Sequence, residues 1–287
     1  MKPPAFDYLR AGSVSDALAA LRGEPESKIN AGGQSLLPLL NFRLARPSVL
    51  IDIGGLRELD RVFDDQGQVV LGALVRHATV EHDPLLRRRV PLASAAAGHI
   101  GHVGIRNRGT LGGSVAHADP SAEMPAVLVA LGATVHLESS ERGRRDVAAE
   151  DFFVSVYTTV AEPDEMLTWV SIPTLGAGQG WGFAEFAPRH GDYALAGAAC
   201  VVSLAGDGSV ASVRAGLLSA GERPMVRTGT HYTGEVGSEP LWRAMAEEWT
   251  RDLDLSGDDP DYRRTLHQEA LVSSLSEAHT RAATGAP

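Results

Sequence analysis

The sequence predicts an α+β fold in which two α/β subdomains are followed by an antiparallel sheet with helices. Its 287 residues exceed what one small core needs and suit two or three packed subdomains. Strand-like and helix-like segments alternate up to residue 175, whereas three strand-like segments precede two helical ones in the C-terminal part. A hydrophobic content of 44% supports a well-buried globular protein.

The first subdomain, residues 1–55, is predicted to be a βαβ-like unit. Ser13 is a predicted helix N-cap because Asp16 stands three residues later, ahead of apolar positions. Val49–Ile53 is a predicted strand because β-branched residues dominate it. The other predicted elements are the strands Phe6–Leu9 and Lys28–Ala31 and the helix Ser35–Leu44.

The second subdomain, residues 56–175, is predicted to contain three helices. Thr79 is expected to cap a short helix, and Ser121 is expected to cap Glu123–Leu131. Gly132 fits the position just after the end of that second helix, and Pro91–Gly98 is alanine-rich and helical. The predicted strands of this block are Gln68–Ala73, Thr134–Glu138 and Met166–Ile172.

The third block, residues 180–280, is predicted to be an antiparallel sheet with two helices. Leu175–Gly182 carries four glycines and no charge, which indicates a linker. The last eight residues, Thr280–Pro287, are expected to be disordered. The predicted strands are Gly182–Phe186, Ala194–Leu204 and Val210–Leu218, and the predicted helices are Pro240–Leu253 and Asp261–His279.

Two glycine-rich segments, each containing a Gly-Gly pair, carry the strongest functional signal. Glycine lets the backbone approach a ligand closely, and consecutive N–H groups in such turns suit phosphate oxygens. Two converging segments would suit a pyrophosphate or dinucleotide, although no G-x-G-x-x-G or G-x-x-x-x-G-K-[ST] occurs. Ordinary turns are the alternative, because the chain has 31 glycines. The first glycine segment is Ala31, Gly32, Gly33, Gln34 and Ser35; the second is Thr110, Leu111, Gly112, Gly113 and Ser114.

Charge and cysteine content exclude several classes of function. The net charge of −10, with Arg87-Arg88-Arg89 as the densest basic run, argues against a nucleic-acid surface. No apolar run approaches 18 residues and the N-terminus lacks an apolar signal region, so a cytoplasmic protein without a membrane span is expected. Cys200 is the single cysteine, which excludes an intrachain disulfide and an iron–sulfur cluster held by this chain alone. The histidines lack a metal-ligand pattern, so no metal site is predicted.

Three stretches, residues 31–53, 100–125 and 189–197, resemble the FAD-binding medium subunit of the molybdenum hydroxylases. This family includes aerobic carbon monoxide dehydrogenase, the flavin domain of xanthine dehydrogenase and bacterial N-heterocycle hydroxylases. The similarity runs from Phe6 to about Leu271, nearly the whole chain. It implies a PCMH-type (vanillyl-alcohol-oxidase-like) FAD-binding fold in residues 1–55 and 56–175. It also implies a carbon-monoxide-dehydrogenase-flavoprotein-like domain in residues 180–280.

The resemblance implies that both glycine segments contact FAD. Gln34 stands where flavoproteins with a covalently attached cofactor often carry histidine, so FAD is expected to be bound non-covalently; a loop glutamine facing solvent is the alternative. The hydroxyls of Ser35, Thr110 and Ser114 can donate to phosphate. Ser35 and Thr110 can equally be local helix caps, and the two roles are compatible.

Three further residues match cofactor positions of the family. Glu123 matches a carboxylate that contacts the adenosine part of FAD, and a surface acid in a first helical turn is the alternative. Leu167 matches an apolar residue near the flavin, and a plain strand-core leucine would look the same. Tyr193 matches an aromatic that can lie against the isoalloxazine ring, with a core tyrosine as the alternative.

Two residues depart from the pattern of some relatives. Pro188 stands where a basic residue is common, and Glu185 stands where some relatives place a lysine near the flavin. Both departures make the flavin edge less positive than in xanthine dehydrogenases, which puts an NAD site in doubt.

The resemblance implies an electron-transfer function without catalytic side chains, because the chemistry belongs to the flavin. Electrons would pass from a large molybdenum-cofactor subunit through [2Fe–2S] clusters on a small subunit to FAD, and then to an external acceptor. The three subunits would form a heterotrimer that is doubled. A free-standing non-covalent FAD oxidoreductase and a flavin-free structural module are the two alternatives.

Overall fold

The computed structural model describes residues 2–255 and 259–285 and has the predicted α+β architecture. In the described residues, three sheets of three or more strands follow one another along the chain, with a fourth, two-stranded sheet beside the second. Helices lie against each of the three larger sheets. The strands are parallel in the first sheet and antiparallel in the second and third.

The first sheet is small and has the order β1-β3-β2. The Ser13 hydroxyl accepts a hydrogen bond from the Asp16 N–H at 3.1 Å, which confirms the predicted N-cap of the first helix. That helix buries Ala17, Leu18 and Leu21 against the sheet. The elements are β1 (Asp7–Arg10), α1 (Val14–Gly23), β2 (Lys28–Asn30), α2 (Leu36–Asn41) and β3 (Val49–Asp52).

The second sheet has five antiparallel strands in the order β4-β5-β10-β6-β7. The second sheet packs on a layer of helices, and α8 is the central helix of that layer. Every residue of α8 is buried, because the helix lies between the second and third sheets. The strands are β4 (Val62–Asp65), β5 (Gln68–Gly72), β6 (Thr134–Ser139), β7 (Gly143–Ala148) and β10 (Glu165–Pro173), with the hairpin β8 (Phe153–Ser155) and β9 (Thr158–Thr159) beside them. The helices are α3 (His77–His82), α4 (Pro84–Arg89), α5 (Pro91–Ala97), α6 (Val103–Arg106), α7 (Leu111–His117), α8 (Glu123–Leu131) and α9 (Ala149–Phe152), and a 3-10 turn covers Arg57–Leu59.

The third sheet has the order β11-β12-β13-β14, and two helices cover one of its faces. Glycines permit this close packing: a Cβ on Gly182 would lie 2.0 Å from the Ser274 carbonyl oxygen, and one on Gly216 would lie 2.0 Å from the Ala126 oxygen of α8. The elements are β11 (Gln179–Phe186), β12 (Ala196–Leu204), β13 (Val210–Leu218), β14 (Met225–Thr228), α10 (Glu239–Thr250) and α11 (Pro260–Thr284).

Two predicted helix caps are wrong. Thr79 lies inside α3, which begins at His77 after an extended Arg76. Ser121 does not cap α8, because Ala122 holds the N-cap position and the Ser121 hydroxyl donates to Asp119 at 2.6 Å. A short hydroxyl side chain is free to bond any nearby acceptor, and here the carboxylate two residues earlier outcompetes the helix end.

The predicted linker and the predicted disordered tail are also partly wrong. β11 already begins at Gln179, and Gly180 and Gly182 serve the contact with α11 rather than flexibility. Residues 280–284, at the start of the predicted disordered tail, continue α11, and Gly285 takes the left-handed conformation that ends a helix. The remainder of the tail, residues 286–287, lies outside the described residues.

Candidate functional site

The first glycine segment forms a tight turn between β2 and α2. Gly33 has φ +72°, a conformation that favours glycine. Within the described residues, the backbone N–H groups of residues 32–35 donate to no protein acceptor. The Gln34 side chain folds back on the turn and donates from Nε2 to the Gly32 carbonyl oxygen at 3.1 Å. The turn is therefore an array of unpaired donors, which fits a phosphate group.

The second glycine segment is the N-cap and first turn of α7, and the N–H groups of residues 111–114 are all hydrogen-bonded within the protein. The Leu111 N–H donates to Val75 and the Gly112 N–H to Ala73, at 2.9 and 3.0 Å. Thr110 is the N-cap, and its Oγ1 accepts from the Gly113 N–H at 3.0 Å. The Ser114 N–H donates to the Thr110 carbonyl at 3.0 Å. Residues 111–114 therefore offer no unpaired backbone donor, and the contact of this segment with FAD through the Thr110 and Ser114 hydroxyls stays a prediction.

The two glycine segments lie directly against each other. A Cβ on Gly32 would lie 2.2 Å from the Arg108 carbonyl oxygen and 2.9 Å from the Gly109 Cα, so only glycine fits there. A Cβ on Gly113 would lie 4.0 Å from the Ala31 Cβ. The structure thus brings together two segments that are far apart in the sequence, as the paired pattern predicts.

Ser35 and Leu167 occupy the positions expected if they had only structural roles, a helix cap for Ser35 and a strand-core residue for Leu167. Ser35 stands at the N-cap position of α2, although its side chain makes no capping hydrogen bond. Leu167 is a buried residue of β10, placed where the register between β10 and β6 shifts, and it belongs to the main core. Their contact with FAD stays a prediction.

Glu123 is the first residue of α8, and its side chain is buried. Burial raises the pKa of Glu123 to about 8, and the nearby carboxylates of Glu185 and Asp119 act in the same direction. The carboxyl is therefore mostly protonated at neutral pH and can both donate and accept a hydrogen bond. The alternative of an exposed acid in the first turn does not describe it.

Tyr193 is 71% exposed, which rules out a core tyrosine. The next residue, Ala194, packs on Ala126 of α8, so the segment after β11 lies against that helix. The charges of Asp119, Tyr157 and Glu123 act on the Tyr193 hydroxyl. Burial, followed by those charges, raises the pKa of Tyr193. The structure therefore brings Glu123 and Tyr193 together and leaves the tyrosine ring available to a ligand.

Sequence reasoning missed two residues at this end of the molecule, Asp119 and Tyr157. Asp119 is buried and accepts hydrogen bonds from the N–H and hydroxyl of Ser121. Tyr157 has φ +56°, is exposed, and stacks on His117 with ring centroids 4.7 Å apart. The Asp119-Pro-Ser pattern is typical of a turn, and it is the local signal that could have pointed to Asp119.

The acidic residue of the flavin-edge prediction, Glu185, is buried and lies against a histidine. Its side chain is 5% exposed, and its Oε1 lies 3.1 Å from the His99 Nδ1. That hydrogen bond raises the pKa of His99. The pair joins the end of α5 to β11 beside Glu123.

The described residues contain no group of three or more histidine, cysteine or acidic side chains able to hold a metal ion. Cys200 is fully buried, lies 3.0 Å from the Ser274 hydroxyl, and has a pKa raised by burial to about 12, so it is an inert thiol. No helix of the described chain is long and apolar enough to cross a membrane.

Comparison with known proteins places this site in a family. Residues 4–175 match the FAD binding domain in molybdopterin dehydrogenase. The chain is 41% identical to the nicotine 6-hydroxylase medium subunit of Paenarthrobacter nicotinovorans, across 98% of this chain and all of the relative. It is 33% identical to the carbon monoxide dehydrogenase medium chain of Hydrogenophaga pseudoflava, across 99% and 100%.

Solved structures agree with the sequence relatives. Quinoline 2-oxidoreductase from Pseudomonas putida 86 contains a chain with a TM-score of 0.93 and 38% identity, covering 98% of this chain and 99% of that one. Carbon monoxide dehydrogenase from Hydrogenophaga pseudoflava gives a TM-score of 0.94 at 32% identity, with coverage of 98% and 99%. Together with the FAD-binding domain, these likenesses confirm the expected fold and make the chain a subunit of an oxidoreductase. The chain belongs to the family of FAD-binding medium subunits of the molybdenum hydroxylases.

Proposed function

We propose that this chain carries FAD as the electron-transfer subunit of a molybdenum hydroxylase and passes electrons from [2Fe–2S] clusters on a partner subunit to an external acceptor. The observation that carries the proposal is the row of unpaired N–H groups at residues 32–35 inside a family FAD-binding domain. Bound FAD supplies redox chemistry that no side chain of the protein can provide.

The residues of the site have distinct binding roles in this proposal. The N–H groups of the first glycine segment hold the pyrophosphate, and the Thr110 and Ser114 hydroxyls add donors from the second segment. The neutral Glu123 offers both a donor and an acceptor to the adenosine part. Tyr193 covers one face of the isoalloxazine ring, and Leu167 supports the cofactor from β10.

The source of the electrons has to be another subunit. Cys200 is the single cysteine of the sequence, and an iron–sulfur cluster needs several thiolates. The proposed partners are therefore a small [2Fe–2S] subunit and a large molybdenum-cofactor subunit, assembled as a doubled heterotrimer. The domain boundaries near residues 55 and 175 and a cytoplasmic location remain predictions of the same proposal.

Non-covalent attachment is tested by acid precipitation of the yellow protein. Gln34 cannot form the covalent bond that histidine forms at such a position, so the chromophore is expected in the supernatant. Colour that stays with the pellet would overturn this part of the proposal.

The relay function is tested by flavin reduction with and without the partner subunits. The isolated chain, loaded with FAD, should be bleached by artificial reductants but not by candidate aldehydes, purines or N-heterocycles. Addition of both partners should make reduction by the physiological substrate fast. Rapid reduction of the lone chain by an organic substrate would favour a free-standing oxidoreductase, and a chain that takes up no FAD would favour a structural module.

A further inference from the structure

Arg76 lies at the junction of the two glycine segments. Its backbone pairs with Thr110 in an isolated antiparallel β-bridge. Directly opposite residues in such a bridge project their side chains to the same side, with Cβ atoms about 5 Å apart. The neighbouring hydrogen bonds hold this arrangement, since the His77 N–H donates to Gly109 at 3.1 Å and the Leu111 N–H donates to Val75 at 2.9 Å. The Arg76 side chain thus lies on the same side of the bridge as the Thr110 side chain.

The guanidinium group of Arg76 is bonded to backbone that packs against the first glycine segment. Its Nη1 donates to the Arg108 carbonyl oxygen. The same oxygen lies 2.2 Å from the position that a Cβ on Gly32 would occupy. The guanidinium is therefore bonded to the stretch of backbone against which Gly32 packs.

The charge of Arg76 is not balanced by the protein. Among residues 2–255 and 259–285, no carboxylate forms an ion pair with it, whereas Arg106 nearby is bound to Glu81 at 2.7 Å. One hydrogen bond to a carbonyl leaves the other N–H groups of the guanidinium free. An uncompensated cation beside a row of unpaired N–H donors suits an anion with more than one charge.

We propose that Arg76 is the cationic partner of the FAD pyrophosphate, bridging the two glycine segments through the phosphate oxygens. This inference rests on the proposed function and adds a specific residue to it. The planar fork of arginine matches two phosphate oxygens at once and carries a full positive charge, whereas backbone N–H groups carry only partial charges. The array supplies geometry, and Arg76 supplies one unit of countercharge.

Binding measurements with ligands that do or do not carry phosphate test this role. The variants are Arg76→Gln, Arg76→Lys and the control Arg87→Gln, which removes the same charge from an arginine that also donates to a backbone carbonyl. The ligands are FAD, ADP and riboflavin, followed by flavin fluorescence or by competition with FAD at several salt concentrations. In Arg76→Gln the dissociation constants of FAD and ADP should rise about tenfold to a hundredfold, the range of a charged hydrogen bond.

Riboflavin affinity should not change in Arg76→Gln, and the salt dependence of FAD binding should become shallower. Arg76→Lys should restore part of the affinity, and Arg87→Gln should match the unchanged protein. Arg76→Met, which keeps the aliphatic stem, replaces Arg76→Gln if circular dichroism finds that variant unfolded.

An equal loss of affinity for riboflavin and FAD would overturn the proposal, since it would mean that Arg76 only holds the loop. Unchanged FAD and ADP affinities in a folded variant would overturn it as well. A failure of the unsubstituted chain to bind FAD would instead refute the proposed function.

Discussion

The two glycine segments share a sequence pattern but differ in what their backbones do. At residues 32–35 the N–H groups are unpaired among the described residues, and Gly33 has the positive φ that the turn requires. At residues 111–114 each N–H group is bonded within the protein. There Gly112 serves packing, because a Cβ would lie 2.5 Å from the Ala73 Cβ. One pair of glycines lies in a turn with unpaired N–H groups, and the other lets α7 approach the backbone at the end of β5.

A Gly-Gly pair in the sequence is therefore not enough to predict a phosphate-binding turn. Whether an N–H group is free depends on partners far away in the sequence, here Ala73 and Val75 for the second segment. The first segment should therefore control cofactor affinity, and the second should control stability. Substitutions at Gly33, Gly112 and Thr110 test that division.

The largest effect is expected for Gly33→Val. Valine strongly disfavours a φ of +72°, and its Cβ would lie 2.9 Å from the Leu37 side chain, so the donor turn would be lost. FAD affinity should fall by more than about a hundredfold, the effect of losing two or more hydrogen bonds to charged phosphate. Titration of flavin fluorescence measures it.

Gly67→Val is the matched control for Gly33→Val. Gly67 also has a positive φ, +90°, but nothing lies within 4 Å of its added Cβ, and it belongs to neither glycine segment. It should cost some stability while FAD binding is kept. Stoichiometric FAD in a folded Gly33→Val protein would contradict the role given to the first segment.

Gly112→Ala should act on stability instead. Its Cβ would meet the Cβ, Cα and carbonyl oxygen of Ala73 at 2.5, 2.7 and 2.8 Å, and backbone cannot yield as a side chain can. Overpacking of this kind lowers the free energy of unfolding by roughly 1–3 kcal/mol. Urea denaturation measures the loss, with Gly104→Ala as a control because nothing lies within 4 Å there. A Gly112→Ala protein of normal stability would undo the packing argument.

Glu123, at the start of α8, is expected to make the stability of the fold depend on pH. Its pKa of about 8 in the folded protein lies above the ordinary value of 4.5, so the folded state retains a proton that the unfolded state releases between these pH values. The contribution of the Glu123 carboxyl to the free energy of unfolding is fully present below pH 4.5 and is lost as the pH rises through 8. The expected slope is on the order of 1 kcal/mol per pH unit.

Glu123→Gln should flatten that pH dependence, because the amide stays neutral at every pH. Urea denaturation at pH 5, 6, 7 and 8 measures the slope, and Glu24→Gln, at an exposed position, serves as the control. A Glu123→Gln protein with the same slope as the unsubstituted chain would mean that other groups carry it.

Thr110→Ala should have the smallest effect. It removes the hydroxyl that caps α7 and accepts from the Gly113 N–H, which costs roughly 1 kcal/mol of stability. It also removes one proposed phosphate donor, so FAD affinity should fall less than in Gly33→Val. Thr110→Ser keeps both functions and should behave normally in thermal unfolding and FAD titration. An equal FAD loss in Thr110→Ala and Gly33→Val would erase the distinction between the segments.

The sequence predicted the fold class and family well because long segments carried the signal. The Ser13 cap was correct because its partner Asp16 is three residues away. Thr79 and Ser121 failed because a local pattern does not reveal which of several acceptors a hydroxyl will choose. Arg76 and Tyr157 had no local signal, since their positions depend on a β-bridge to Thr110 and on ring stacking with His117.

Backbone amide hydrogen exchange with and without FAD tests the central claim most directly. The amides of residues 32–35 should exchange fast in the cofactor-free protein, because they are unpaired, and should become strongly protected when FAD is added. The amides of residues 111–114 should be protected in both states and change little. Protection by FAD that is confined to residues 111–114, with no change at residues 32–35, would contradict the account.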